Sequence, residues 1–457
     1  MRTESAAPVS REWCTEVDLG GELPEALVAP RVPHYETARV LVRLHGEPLL
    51  FAQRPLVNGK MATTNLLTEL SDPARARLIS HLEIDGGRLN ETITDSPVIH
   101  APAFCRQPAV TGRTVTVVVC TRGRAEALRG CLATLITMDN QGLDFIIVDN
   151  APTDDRTSAA FAVEVGADPR FRYVVEPRPG LSCARNRGLA EATGEVIAYT
   201  DDDVRVDASW VGALLGGFDR RADVACVTSL VCTASLDTPA EHYFDARTSW
   251  GSRCQPRLFD RTPPDNDALY PYSPGLFGTG AGMAFRTAVI RELGGFDEAL
   301  GAGTRTAGGE DLDAFVRILH AGYALAYEPS SLVWHHHRTD LPGLQRQMYT
   351  YGTGLTAFIT KHLVDKSTRR SLLRRLPRGL AKLASIPTKT LGAAGHRRPS
   401  ISLLLHEFAG MAMGPALYGM SRLQVTRAQS LNPRITPDGD QGRARQRPPD
   451  EAEGLVL

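Results

Sequence analysis

The sequence predicts an α/β fold, in which a mostly parallel sheet carries helices on both faces. Its central part contains apolar runs with little polar alternation, as is typical of strands buried on both sides. These runs lie at residues 115–120, 145–148, 171–175 and 195–200. Helical patterns separate them, at residues 125–138, 155–165 and 182–193. In such a sheet, ligands bind outside the carboxyl ends of the strands.

Length and composition fit a globular protein of two or three domains. The chain has 457 residues, 42% of them hydrophobic and 23% charged, with a formal net charge of −1. This charge gives no argument for a nucleic-acid partner, and none is expected. The eight cysteines form no Cys-x-x-Cys motif, which favours reduced thiols and a cytoplasmic protein. No secretory signal core and no apolar run of about 18 residues is found in the sequence.

The patterns divide the chain into four parts. Residues 1–107 are predicted to form a small α+β module, with a hairpin at 38–52 and a helix at 67–82. The module has no reactive cluster, and its role is left open between partner contact, acceptor contact and structural support. The other parts are the catalytic domain at 114–345, a basic, partly amphipathic helical tail at 346–430 and a disordered tail at 431–457.

The basic tail has two interpretations. Leucines alternate with cationic residues, namely Arg369, Arg370, Arg374, Arg375, Arg378, Lys382 and Lys389. A basic amphipathic segment can lie on an anionic membrane surface, which predicts peripheral contact with the inner face of the cell membrane. The alternative is a solvated helical tail that packs back on the domain.

Three consecutive aspartates, Asp201, Asp202 and Asp203, follow the strand that ends at Thr200. Carboxylates placed side by side repel one another unless a cation lies beside them. Mg²⁺ and Mn²⁺ prefer oxygen ligands and are commonly shared between a carboxylate and a phosphate. The triplet therefore predicts a metal–diphosphate site, against the alternative of a solvated acidic turn. In an extended chain, Asp201 and Asp203 point to the same side.

Four other groups are candidates for the same crevice. Asp149 ends the second strand, where it can contact a nucleoside or cap a helix. Glu310 and Asp311 begin a helix after two glycines, so they are helix caps or a general base. Imidazole is a suitable Mn²⁺ ligand beside carboxylates, which makes the triplet His335–His337 a candidate. Arg185 can reach a phosphate or lie on the surface.

In their order along the chain, these motifs resemble those of the family 2 glycosyltransferases of the GT-A fold, in an actinobacterial-type arrangement with an extra N-terminal module. The resemblance covers about residues 114–340. It rests on these segments: Val115-Thr-Val-Val-Val-Cys-Thr-Arg122, Val148-Asp149-Asn150, Gly180-Leu-Ser-Cys-Ala-Arg-Asn186, Tyr199-Thr-Asp-Asp-Asp203, Gly280-Ala-Gly-Met-Ala-Phe285, Gly308-Gly-Glu-Asp311 and His335-His-His337.

The resemblance implies an inverting, metal-dependent transfer of a sugar from a nucleotide-diphosphate donor to an acceptor hydroxyl. It assigns Thr121, Arg122 and Asp149 to the nucleoside. Asp201 would face the ribose, with Asp202 in support, and Arg185 would lie near the diphosphate. Asp203, together with His335 or His337, would bind Mg²⁺ or Mn²⁺. Asp311, next to Glu310, would be the general base.

Two departures from the family pattern affect these assignments. The family commonly has a second acid where this chain has Asn150, and an Asn where it has Gly282. The acceptor is expected to be a glycan, a lipid-linked molecule or a small molecule. The alternatives are a sugar-nucleotide nucleotidyltransferase, a non-catalytic carbohydrate-binding module and a metal hydrolase. A nucleotidyltransferase would need a lysine-containing phosphate loop, which this chain lacks after its first strand. A metal hydrolase would need His-x-x-x-His spacing, which the histidines of this chain do not have.

Overall fold

The structure is a computed structural model of the chain. It describes residues 11–20, 23–32, 34–64, 66, 71–84, 112–138, 142–264, 267, 269–273, 275–384 and 401–431. The predicted disordered tail at 431–457 lies outside these residues, except for Leu431.

A nine-stranded sheet forms the centre of the protein, and it confirms the predicted α/β class. The strands follow the order β10-β14-β11-β13-β9-β6-β7-β8, and β12 pairs with β14. Parallel pairing joins β9, β6, β7 and β8, and also β11 and β14, whereas β13 runs antiparallel between β9 and β11. The strands are β6 Val115–Thr121, β7 Leu143–Asn150, β8 Phe171–Glu176, β9 Val196–Asp201, β10 Val204–Val206, β11 Val224–Thr233, β12 Arg257–Phe259, β13 Gly282–Arg286 and β14 Ala324–His335.

Helices cover both faces of this sheet because successive strand residues point to opposite sides. Val118 and Ile146 belong to the core under one face, and Val117 and Phe145 belong to the core under the other. The helices of this region are α2 Ala125–Leu135, α3 Arg156–Glu164, α4 Leu181–Glu191, α5 Trp210–Asp219, α6 Pro239–Arg247, α7 Thr287–Glu292 and α8 Glu310–His320.

The N-terminal module has its own small sheet and shares a core with the large one. Its elements are β1 Glu12–Asp18, β2 Ala26–Val28, β3 Thr37–Leu44, β4 Glu47–Pro55, β5 Lys60–Ala62 and α1 Asp72–Ile84. The predicted hairpin is present as the antiparallel pair β3–β4, and β1 pairs with β3 in parallel. Leu41 on β3 is fully buried in the main hydrophobic core, and Cys14 and Phe51 pack against it. The module is therefore docked directly on the domain that holds the aspartates.

Three helices follow the sheet: α9 Leu341–Val364, α10 Lys366–Ala384 and α11 Ile401–Leu431. Helices α9 and α11 run in the same direction, because Gln345 contacts Ser402 near their starts and Ala357 packs with Tyr418 further along. Glycines allow a close crossing: a Cβ on Gly410 would lie 2.1 Å from the carbonyl oxygen of Tyr349, and one on Gly352 would lie 2.2 Å from that of Glu407.

Among the helices that the structure describes, none combines the length and the apolar character needed to span a bilayer.

Candidate active site

The candidate site lies at the carboxyl ends of neighbouring parallel strands. Thr121 at the end of β6 pairs with Asp149 at the end of β7, and Cys120 pairs with Asp201 at the end of β9. The pairing of β10 with β14 places His335 opposite Val204, directly beside Asp203. The sheet therefore brings together carboxylates and an imidazole that lie more than a hundred residues apart in sequence.

Asp201, Asp203 and His335 form a candidate metal-binding cluster. Each offers one ligand atom, and these atoms lie within 4.8 Å of one another. The Nε2 atom of His335 is 3.2 Å from Oδ1 of Asp203. Two carboxylates and one imidazole are donors that Mn²⁺ accepts, and Mg²⁺ is commonly bound through carboxylates, so the residues fit the predicted ions. Burial opposes ionisation of Asp203, but the neighbouring His335 and Arg124 hold the pKa of this carboxyl well below its usual range.

Asp202 points into the protein instead of towards the crevice. Thr121 donates its hydroxyl hydrogen to Oδ2 of Asp202 at 2.8 Å, and Arg124 donates to Oδ1 at 2.7 Å. Arg124 also donates to Oδ2 of Asp203 at 2.6 Å, so one guanidinium offsets the charge of two adjacent aspartates. Burial nevertheless raises the pKa of Asp202 to about 7. Arg124 is a site residue that sequence reasoning missed, although its position in the turn after β6 was a usable signal.

Arg185 connects the aspartates to the acidic pair at the start of α8. It is 2% exposed and donates to Oε1 of Glu310 at 2.9 Å and to the carbonyl oxygen of Gly280 at 3.2 Å. Its Nη2 atom lies 3.6 Å from Oδ1 of Asp201. Burial, together with the charge of Asp311, raises the pKa of Glu310 to about 7. Gly280 has to be a glycine for this contact, because a Cβ there would lie 2.7 Å from Nη2 of Arg185.

Asp311 is half-buried and is held by backbone groups. The N–H of Gly280 donates to its Oδ2 at 2.9 Å, and the N–H of Leu312 donates to its Oδ1 at 2.8 Å. Gly309, the residue before α8, has a φ of +90° and is tightly covered, since a Cβ there would lie 2.7 Å from the carbonyl oxygen of Gly354 on α9. Helix α9 thereby fixes where α8 begins.

The nucleoside side of the predicted site contains Asp149, which is fully buried. Tyr173 donates to its Oδ2 at 2.5 Å, and its Oδ1 has no hydrogen-bond partner among the described residues. Burial raises the pKa of Asp149 above its usual value. A buried oxygen without a donor carries a free-energy penalty that a ligand N–H or O–H would remove. Arg122 is exposed nearby, within reach of Gly303.

Asn150, the first departure from the family pattern, holds a loop. Its Nδ2 donates to the carbonyl oxygen of Arg178 at 2.7 Å, and its Oδ1 accepts from the N–H of Gly180 at 2.9 Å. A carboxylate has no donor for the first bond. The amide is thus suited to positioning Gly180, the residue before α4, which in turn carries Arg185.

His337 does not belong to the metal-binding cluster. Its Nδ1 lies 3.2 Å from Nδ1 of His335, and its Nε2 lies 3.1 Å from Oγ1 of Thr233. The ring of Phe244 packs against it at 4.6 Å between centroids. The sequence predicted that His335 and His337 share a side of the chain, and their ring nitrogens do meet. The sequence did not indicate the contact of His337 with Thr233, which lies at the end of the neighbouring strand β11.

Residues 116–294 match the family model described as "Glycosyl transferase family 2". Over 288 residues the chain is 30% identical to the pre-mycofactocin glycosyltransferase of Mycobacterium tuberculosis, which covers 60% of this chain and 55% of that protein. Over 247 residues it is 24% identical to the glucosyl-dolichyl phosphate glucuronosyltransferase of Haloferax volcanii, covering 52% of this chain and 75% of that one.

The solved structure of the mannosyltransferase PcManGT from Pyrobaculum calidifontis, a complex with GDP-Man and Mn²⁺, is similar with a TM-score of 0.45. The identity is 20%, and the match covers 71% of this chain and 89% of that one. The chain therefore spans about half the length of the mycobacterial protein, since the match covers 55% of it.

Proposed function

Because residues 116–294 form a family 2 glycosyltransferase domain, we propose that this protein transfers a sugar from a nucleotide-diphosphate donor to an acceptor hydroxyl, with inversion at the anomeric carbon. The arrangement around Arg185 carries the proposal. This guanidinium bonds Glu310 at 2.9 Å and lies 3.6 Å from Asp201, so it connects the metal-binding cluster with the residue next to Asp311. A metal site and a carboxylate base side by side are what this reaction needs.

The donor would be held at the carboxyl ends of the strands. Asp201, Asp203 and His335 would bind Mg²⁺ or Mn²⁺, which would neutralise charge on the departing nucleotide diphosphate. The exposed Arg122 is available to the nucleoside, whereas the buried Oδ1 of Asp149 would be reached only after a local rearrangement at the end of β7. Thr121 would act through Asp202, because its hydroxyl is already bonded to that carboxylate.

Asp311 would take the proton from the acceptor hydroxyl as that oxygen attacks the anomeric carbon. Its carboxylate is half-buried and is oriented by the N–H of Gly280. Glu310 is the weaker candidate for this role, since its Oε1 is paired with Arg185 and its side chain is buried. Glu310 would instead balance the buried guanidinium. A single displacement leaves no sugar on the enzyme and inverts the configuration.

The test of the base is Asp311→Asn. Asparagine keeps an oxygen to accept the Gly280 N–H but cannot take a proton, so we expect turnover to fall by about 10²–10⁴-fold with donor affinity unchanged. Product is measured by mass spectrometry after a thermal-shift screen of nucleotide sugars with Mn²⁺. The exposed Asp219, which pairs with Arg113 at the amino ends of the strands, provides the same substitution outside the crevice, and it should leave turnover unaltered. Wild-type turnover in Asp311→Asn would disprove the assignment.

The same assay separates the alternative activities. A nucleotidyltransferase would release pyrophosphate from a nucleoside triphosphate and a sugar phosphate, and a carbohydrate-binding module would give no product at all. Removal of the metal with EDTA should abolish transfer, and Mn²⁺ or Mg²⁺ should restore it. Full activity in EDTA would contradict the metal role of Asp203 and His335.

We also propose that the acceptor is a glycan, a lipid-linked molecule or a small molecule, that the protein acts in the cytoplasm and that nucleic acid has no part in the reaction. We propose further that the protein attaches peripherally to an anionic membrane through α11. Every exposed residue of this helix from 401 to 420 is apolar: Ile401, Leu405, Phe408, Ala409, Ala412, Met413, Pro415, Ala416, Gly419 and Met420. This stripe lies opposite the face that packs on α9 and extends over about 30 Å.

Cationic residues flank the stripe in sequence, which favours an anionic lipid surface over a second copy of the chain. Arg422 and Arg427 are exposed on α11 itself, and Lys366, Arg370 and Arg374 are exposed on α10. An apolar helix face with basic residues nearby is typical of helices that lie in the membrane interface.

Vesicle flotation of the full chain tests this attachment. We expect binding to vesicles rich in phosphatidylglycerol, little binding to phosphatidylcholine alone, and weaker binding at high salt. The double variant Leu405→Glu/Phe408→Glu should bind about tenfold less tightly. Val163→Glu, an equally drastic change at an exposed apolar residue of α3, should bind normally. Absence of binding by the wild type, or a dimer that the double variant dissociates, would overturn the proposal.

A further inference from the structure

A chain of hydrogen bonds runs from the N-terminal module to the metal-binding cluster. It begins at Arg39 on β3, which donates from Nη1 to Oδ2 of Asp245 at the end of α6. Thr233 donates its hydroxyl hydrogen to Oδ1 of the same carboxylate at 2.5 Å. The chain continues through His337 to His335. All its members are buried or half-buried, and they come from four separate segments.

The direction of these bonds is fixed from the Arg39 end. A carboxylate only accepts, so the single hydrogen of the Thr233 hydroxyl goes to Asp245. The hydroxyl oxygen can then only accept from His337, whose Nε2 is 3.1 Å away. A neutral imidazole with its hydrogen on Nε2 is an acceptor at Nδ1. The Nδ1 atom of His335, 3.2 Å away, must therefore be the donor of the last bond.

We propose that this hydrogen-bond chain sets the tautomer and the ring orientation of His335, and that Arg39 gives the N-terminal module a part in metal binding. With its hydrogen held at Nδ1, His335 would offer the lone pair of Nε2 to an ion in the cluster once that ion displaces the proton that Nε2 shares with Asp203. Arg39, Asp245, Thr233 and His337 are positioning residues. The inference rests on the metal site of the proposed function.

Packing around the chain supports an orienting role. Phe244, the residue before Asp245, stacks on the His337 ring at 4.6 Å, and Arg39 lies over the ring of Phe51 at 4.9 Å. The two side chains of the Arg39–Asp245 pair are only 16% and 15% exposed. A metal-binding histidine usually donates its other ring N–H to a partner that fixes its orientation, and loss of that partner typically weakens metal binding about 10–100-fold.

Thr233→Val breaks the chain while keeping the shape of the side chain. We expect Mn²⁺ to bind about 10–100-fold more weakly, measured from the electron paramagnetic resonance signal of free Mn²⁺ in the presence of UDP or of GDP. Thr233→Ser keeps the hydroxyl and should bind Mn²⁺ as the wild type does. Arg39→Ala should weaken binding as well, because Asp245 loses the cation that orients it.

Arg43→Ala is the matched control for the module. Arg43 lies on the same strand as Arg39 and pairs with Asp207 across the same interface, but it is not a member of the chain. This variant should bind Mn²⁺ normally.

Ring ¹⁵N shifts of labelled histidines give a second readout, with His335 assigned through a His335→Gln variant. In the Mg²⁺ form the wild type should show His335 protonated at Nδ1, and Thr233→Val should show a mixture of tautomers. Equal loss of Mn²⁺ binding in Thr233→Ser and Thr233→Val, or an unchanged tautomer in Thr233→Val, would overturn the inference. A wild type that binds no Mn²⁺ would instead overturn the metal site itself.

Discussion

The N-terminal module and the C-terminal helices both dock on the central sheet, but they do so by different means. The module is joined through charged side chains: Arg39 pairs with Asp245, and Arg43 pairs with Asp207 at 2.6 Å. The C-terminal helices also form ion pairs, such as Lys361 with Asp313 at 2.7 Å, but they add glycine contacts, which bring backbones together where a Cβ would not fit. A Cβ on Gly354 of α9 would lie 2.9 Å from the Cα of Gly308, and a Cβ on Gly410 of α11 would lie 2.1 Å from the carbonyl oxygen of Tyr349.

The two modes of docking serve opposite sides of the crevice. The contact of Arg39 with Asp245 leads through Thr233 and His337 to His335, on the metal side. The glycine contacts lead to Gly309 and the start of α8, which carries Asp311. Ion pairs and hydrogen bonds transmit a defined direction to a side chain, whereas close backbone packing fixes where a whole helix begins. Each appended region therefore supports one half of the proposed chemistry.

The largest effect is expected where the glycine docking is broken outright. Gly410→Ala places a methyl group 2.1 Å from a backbone oxygen of α9, so we expect a loss of about 3 kcal/mol in the free energy of unfolding, measured with urea. Gly419 lies on the same helix with no heavy atom within 4 Å of its Cβ position. Gly419→Ala should stabilise by about 0.5–1 kcal/mol, because alanine is the better helix former. Equal behaviour of the two variants would contradict the crossing.

A more local change should separate the base side from the metal side. Gly354→Ala pushes against the backbone of Gly308 and Gly309 and thereby moves Asp311. We expect kcat to fall by about 10–100-fold, since small displacements of a catalytic group have effects of this size. Mn²⁺ affinity should stay at the wild-type value. A parallel loss of Mn²⁺ binding would show that the two sides are not supported separately.

The charged docking should give the smaller, pH-dependent effect. Burial alone would raise the pKa of Asp207, but the hydrogen bond and charge of Arg43 lower it below its usual value. A lowered pKa stabilises the fold above the unfolded value of about 4, and this stabilisation is lost as the pH falls below it. Arg43→Ala should therefore cost about 2 kcal/mol at pH 7 and less at pH 3, by denaturant unfolding. A cost that does not change with pH would argue against the pair.

The sequence was sufficient for the parallel strands β6, β7, β8 and β9 and for the position of the crevice, but the ten-residue strand β11 was missed. Period and composition are local properties, so the apolar strands and the acids that follow them could be placed from residues alone. The antiparallel strand β13 between β9 and β11 could not, because its five residues carry no sign of their direction. The turn after β6 pointed to a cation beside Asp202, but it contains both Arg122 and Arg124, and only the folded turn selects Arg124.

The supports of the site were the least predictable part. Gly309 and Gly354 meet only because α9 crosses the start of α8, and no pattern in either segment indicates the other. Nothing in the sequence around Arg39 indicates its partner Asp245 either, because Arg39 is one of several cations on a strand of alternating polarity. Contacts between distant segments depend on the whole fold, whereas the acids at the strand ends depend on the strand before them.

The parallel course of α9 and α11 has a consequence for the order in which the two halves of the crevice are completed during synthesis. The metal side needs nothing beyond His337, so it can form as soon as the sheet has left the ribosome. The base side is completed later. Helix α9 is 24 residues long, and its partner α11 begins only after the chain has returned along that length, about 36 Å. Domains generally fold as they emerge. A nascent chain would then be able to hold an ion well before it holds Asp311 in its final place.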